Sequence, residues 1–147
     1  SPHPRHNRRK YTEAEAWKAI EGPVVANDRE RKQGGVFYDY CRQNGLWPKM
    51  VSGWDPRGEA EKFFPFMPVK NVTSQYPPTV LIHGTVDTDV PFEQSTMMAE
   101  EFKKHKVPFE FYEIAGGEHG LGGGNPVEIE RAYRKAFEFV KGRFEGR

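Results

Sequence analysis

The chain has 147 residues, 36% of them hydrophobic and 14% aromatic, with 22 Lys and Arg against 21 Asp and Glu for a net charge of +1. That length suits one domain with a core of its own, and 11 Phe, 6 Tyr and 3 Trp exclude a chain disordered by composition. One cysteine, Cys41, rules out an internal disulfide framework, and no apolar run approaches the roughly 20 residues that span a bilayer.

Charge is unevenly spread. Arg5, Arg8, Arg9 and Lys10 crowd the first ten residues. A solvated, frayed segment accounts for them, and no basic stripe or reader motif elsewhere supports a nucleic-acid partner. His3 and His6 lack the third and fourth ligands a stable metal site needs. Neither a metal nor a cofactor is expected. No secretory signal pattern opens the sequence. The chain starts abruptly at "SPHP", which fits a fragment, so the compartment stays unknown, with the cytoplasm favoured.

In chain order, Thr12 with Glu15 predicts a capping box that opens a short helix stopped by Gly22-Pro23. A second helix is expected from about Asp28 to Asn44, with Phe37, Tyr40 and Cys41 on one face and Gly45 as its C-cap. "LWPKMVSGWDPRGEAEKFFPFMPVKNV" reads as short turns and single helical turns. Residues 79–83, "TVLIH", form an apolar run between Pro77-Pro78 and Gly84, as in a strand buried on both faces of a parallel sheet. A helix follows over about 92–105, with Met98, Ala99 and Phe102 inward. "FEFYEI" at 109–114 alternates like a second strand. Asn125 is a good N-cap and Pro126 a good N1 residue for a last helix to about Phe144, its apolar stripe Ile129, Ala132, Tyr133, Ala136 and Val140. Strand, helix, strand, helix is a right-handed βαβ unit with a closing helix, an α/β fold.

Asp87 and His119 both lie just past the C-terminal ends of the two strands, where open α/β sheets build their sites. Neighbouring parallel strands are about 4.8 Å apart, so loops leaving one edge can bring the carboxylate to the imidazole. The Asp would hold one ring nitrogen protonated and leave the other free as a base. The glycines at 116, 117, 120 and 122–124 permit close backbone approach, although they also suit a plain flexible connection with His119 on the surface.

Residues 76–144 closely resemble the C-terminal part of α/β-hydrolase serine hydrolases, of the prolyl-oligopeptidase-like and dienelactone-hydrolase-like esterases. "HGTVDTDVPFEQS" is similar to the family's HGxxDxxVP segment after the penultimate strand, and "GGEHGLGGGNP" to its HG segment before the last helix. The resemblance implies Asp87 as triad acid and His119 as triad base, with Asp89, at a variable place, ranked second. It implies a partial α/β-hydrolase fold: the last two parallel strands and flanking helices over 76–147, preceded by a helical cap or insertion region over 1–75. Residues 27–75 resemble the family's cap insertion more loosely.

The family order is Ser, acid, His, with the Ser in a G-x-S-x-G elbow. No such pentapeptide occurs here. Ser52 precedes Gly53 but follows Met50 where Gly belongs. Cys41 falls on an apolar helix face, as a buried structural thiol does. The family's HGG-type oxyanion segment is absent too, and His83 packs or hydrogen-bonds locally rather than replacing it. The expectation is therefore the C-terminal part of a serine hydrolase of carboxylesterase type that cleaves esters or amides. The alternatives are a peptidase of prolyl-oligopeptidase type and an inactive, truncated binding module. Esterase is preferred because no propeller is visible in the 147 residues. Trp17, Phe37, Tyr38, Trp47, Trp54, Phe63 and Phe64 suit either an apolar pocket or the cap's own small core. The expected partners are a small apolar ester or peptide-like substrate, and either an N-terminal hydrolase half or a second copy pairing at the open sheet edge. No nucleic acid and no membrane are expected.

Overall fold

The computed structural model describes residues 9–22 and 34–145. The residues of the expected second helix before Gly34, and Arg5, Arg8, His3 and His6, lie outside the described residues. Packing divides the chain into two compact units that meet between Phe63 and Phe64. The sequence boundary at 75–76 falls later.

The first unit is helical. Helix α1, Glu13–Ala19, starts at Thr12, whose hydroxyl accepts from the Glu15 N–H while the Glu15 carboxylate accepts from the Thr12 N–H. This reciprocal cap satisfies two of the amides that a helix start leaves unpaired. Arg9, from the basic N-terminal run, bridges Glu15 at 2.9 Å. Helix α2, Gly34–Gln43, ends at Gly45, whose φ of 65° is the left-handed conformation expected of a C-terminal glycine. Ala16 of α1 and Cys41 of α2 are fully buried. Helix α3, Trp47–Ser52, and a 3-10 stretch, Ala60–Phe66, follow. The aromatic side chains pair with one another. Trp17 tilts on Phe37 at 5.2 Å, Tyr38 meets Trp47 edge-on at 4.8 Å, and Trp54 meets Phe63 at 5.7 Å. They pack on one another without being buried, with Trp17 and Trp47 exposed.

The second unit is a three-layer α/β sandwich. Strands β1, Thr79–Gly84, and β2, Phe109–Ile114, run parallel in the register Leu81 opposite Phe111 and His83 opposite Glu113. Alternation sends one set of side chains to each face. Leu81 and Phe109 join Val72, Phe102 and Val107 under helix α4, Glu93–Lys104. Ile82 and Tyr112 join Ile114, Leu121 and Ala132 under helix α5, Pro126–Glu145. Asn125 caps α5, its side-chain oxygen accepting from the Val127 N–H at 2.9 Å.

The α5 stripe departs from expectation. Ala132 is buried and Ile129 packs on the core, but Tyr133 and Val140 are exposed, as are Phe137 and Phe144. Length accounts for the end of the helix: 20 residues run about 30 Å and a six-residue strand about 20 Å, so the last turns of α5, with Val140 and Phe144, overhang the sheet, whereas Tyr133 lies within that span and lines a surface cleft. Among the described residues no helix is long and apolar enough to cross a membrane.

Candidate active site

The C-terminal ends of β1 and β2 are stitched together by backbone. The Thr85 N–H donates to Ile114 O at 3.0 Å and the Val86 N–H to Gly117 O at 3.1 Å. This contact requires Gly84. A Cβ there would stand 2.1 Å from the Gly117 carbonyl oxygen, closer than any side chain fits. The glycines thus draw the two loops together, which brings their functional side chains within reach.

Asp87 and His119 meet across this junction. Asp87 Oδ2 lies 3.1 Å from His119 Nδ1. Asp87 Oδ1 accepts the backbone N–H groups of Asp89 and Val90, both at 2.8 Å. The Asp87 side chain is 6% exposed and that of His119 53%. Burial pushes the Asp87 carboxyl up. The amides of Val90 and Asp89, then the hydrogen bond and charge of His119, outweigh it and hold the group at about 2. Asp87 is therefore a carboxylate at neutral pH. A carboxylate can only accept, so His119 Nδ1 carries the proton and Nε2 is left with its lone pair. Asp89, the second-ranked acid, serves through its backbone amide.

Glu118 ties the two loops from the other side. Its carboxylate accepts from the Thr88 hydroxyl at 2.6 Å, the Thr88 N–H at 3.1 Å and the His119 N–H at 3.0 Å. Sequence reasoning passed over it. The one available signal was an acidic residue directly before His119. Gly120, with φ of 78°, bends the chain in the middle of the short turn His119–Leu121. A cleft of about 310 Å³ lies at the site, lined by residues that include Ile82, Val90, His119, Leu121 and Tyr133. A lining that combines apolar side chains with Asp87 and His119 suits a small ligand.

His83 is a further member. It is 8% exposed, and its Nε2 lies 3.1 Å from Asp87 Oδ2, the oxygen that also meets His119. Ser52 is engaged within its own helix end. Its hydroxyl donates to Pro48 O and accepts from the Trp54 N–H, closing the end of α3. Burial pushes the Cys41 thiol up, away from the reactive thiolate. Among the described residues no group of three or more His, Cys, Asp or Glu could hold a metal ion.

A parallel β1–α4–β2 unit closed by α5, with acid and imidazole at its C-terminal edge, defines part of an α/β-hydrolase fold. Residues 37–147 match the prolyl oligopeptidase family model, and the chain belongs to that family of serine hydrolases. It is similar in fold to a solved structure described as a truncated form of carbohydrate esterase from gut microbiota. The two are 23% identical with a TM-score of 0.50, over 60% of this chain and 32% of the other. This chain thus corresponds to about a third of that protein's length. Among curated proteins none matches the chain.

Proposed function

We propose that Asp87 and His119 are the acid and base of a Ser-His-Asp triad in a hydrolase that cleaves ester or amide bonds through an acyl-enzyme. The observation that carries this reading is the 3.1 Å contact between Asp87 Oδ2 and His119 Nδ1 at the C-terminal edge of parallel strands. With Nδ1–H held by the carboxylate, His119 Nε2 takes the proton of a serine hydroxyl as the oxygen attacks the substrate carbonyl. Asp87 stabilises the imidazolium so formed. The same proton then passes to the leaving group, and water repeats the sequence to release the acyl group. The serine and the oxyanion donors come from outside these 147 residues, in which no G-x-S-x-G occurs.

Family membership supports serine chemistry. The esterase name of the similar structure supports an ester substrate, and the family name keeps a peptide-like amide as the alternative. A carboxylesterase acting on a small apolar ester is the reading we adopt. A second reading, an inactive hydrolase-like binding module, is favoured by the missing elbow.

A fluorophosphonate probe separates them, because labelling needs an activated serine and an oxyanion hole. The 147-residue chain is expected to remain unlabelled. Expressed with the reading frame upstream of Ser1, the protein is expected to label at a G-x-S-x-G serine. In that protein Asp87→Asn should lower kcat roughly 10⁴-fold, with His119→Ala no milder. An upstream frame with no such elbow within roughly a hundred residues leaves the binding module. Stoichiometric labelling of Ser52, Ser74 or Ser95 overturns both.

A further inference from the structure

We propose that His83 is a positioning residue whose Nε2–H fixes Asp87 Oδ2, held in that tautomer by the hydroxyl of Ser95. This rests on the reading of Asp87 and His119 as acid and base. His83 Nε2 faces two atoms, Asp87 Oδ2 at 3.1 Å and Val90 O at 3.2 Å. A carboxylate oxygen and a carbonyl oxygen both only accept, so Nε2 carries a proton and donates. On the far side of the ring, Nδ1 lies 2.7 Å from Ser95 Oγ on α4. In the neutral imidazole Nδ1 accepts, and the Ser95 hydroxyl donates to it. Phe92 meets the ring edge-on at 5.6 Å. The imidazole is thus fixed by the β1 backbone that carries it, by α4, and by the turn that carries Asp87.

Backbone and imidazole act on the two oxygens of one carboxylate. The amides of Asp89 and Val90 meet Asp87 Oδ1, and His83 Nε2 meets Oδ2. Rotation about the bond to a carboxylate is soft and moves both oxygens together, so hydrogen bonds at Oδ1 and at Oδ2 restrain the same torsion from its two ends. His119 is a poor anchor, since its side chain is half exposed and must itself be oriented. His83 is buried and holds the same oxygen at the same 3.1 Å. The direction from which the carboxylate meets His119 is then set before any substrate arrives. The ionisable groups about Asp87 are His83 from β1, His119 from the loop after β2, Asp89 in its own turn, and Glu118 through Thr88.

Long-range proton–nitrogen NMR of the 147-residue chain, in the oligomeric state it adopts, reads both imidazoles at once. At neutral pH His83 is expected to show a protonated Nε2 and an unprotonated Nδ1, and His119 a protonated Nδ1. A His83 proton on Nδ1, or the averaged signals of a random coil, overturns the proposal. His119 protonated on Nε2 beside an unchanged His83 overturns the acid–base reading instead, so the two failures are distinct. Carbon-detected titration of Asp87 adds a test of function through position. Losing a donor to the charged form disfavours that form, so His83→Leu should raise the Asp87 midpoint by about one unit. His83→Gln, whose amide N–H can reach the same oxygen, should keep the midpoint near the wild-type value. An unmoved midpoint in His83→Leu reduces His83 to packing and overturns the proposal. Ser95→Ala leaves His83 itself intact and is expected to move the His83 Nδ1 resonance, and an unmoved resonance overturns the Ser95 contact.

Discussion

Asp87 takes hydrogen bonds at both carboxylate oxygens, and they govern how its ionisation is linked to folding. With its folded value at about 2 against an ordinary 3.8, the charged form is the one the fold stabilises. A depressed carboxyl adds stability that is fully present above its unfolded value and lost as pH falls through its folded value. The window therefore lies between about pH 4 and pH 2, and the loss is on the order of 1–2 kcal/mol. Unfolding free energies from urea titrations across that window should fall by this amount in the wild type beyond any fall in Asp87→Asn, and parallel curves would remove the linkage. Asp87 and His119 were legible in the sequence because one follows the apolar run "TVLI" and the other the alternating "FEFYEI" by a few residues, which places each past a strand end. Much of His83 was not. Its position after "TVLI" was visible, but its partners are Asp87 in a turn and Ser95 twelve residues on, and only the folded α4 brings that hydroxyl to the ring.

Between elements, the junction of two loops depends on Glu118 as much as on the strands. Glu118→Ala would leave the Thr88 and His119 amides without this acceptor, at about 1–3 kcal/mol for each one that stays dry. The expected outcome is faster amide exchange at Thr88 and His119, by roughly tenfold or more, with the amides of Leu81 and Ile82 unchanged. Uniform acceleration through β1 would mean that Glu118 supports the whole unit rather than the junction. The elements that carry this junction were well marked. Pro77-Pro78 and Gly84 bracket β1, and β2 occupies the span its alternation indicated. The α5 start was equally clear from Asn125-Pro126. What periodicity could not supply is the amount of sheet available to cover α5. An apolar stripe states that a face seeks a partner, not that these residues contain it.

For the molecule as a whole, that uncovered face decides the last expectation. Tyr133, Phe137, Val140 and Phe144 recur at helical spacing along α5, and all four are exposed. Beside them, among the described residues, stands a sheet of two strands, each paired on one side only. An unpaired strand edge offers N–H and C=O groups to another strand, and an exposed apolar stripe offers area to another surface. Burying one large apolar side chain contributes about 1.5–3 kcal/mol, so several together rival the 5–15 kcal/mol of net stability of a typical domain. The 147-residue chain is therefore expected to associate, either with an N-terminal hydrolase segment or, alone, with a second copy of itself through the β1 edge and the α5 stripe. Sedimentation equilibrium at micromolar concentration should give a mass above 16.9 kDa for the isolated chain. Phe137→Glu with Val140→Glu places two charges in the stripe and should weaken that association at least tenfold. A monodisperse monomer with a cooperative melt would show that a two-stranded sheet with an exposed helical stripe is sufficient on its own. Association unaffected by the two glutamates would move the contact from α5 to the strand edge alone.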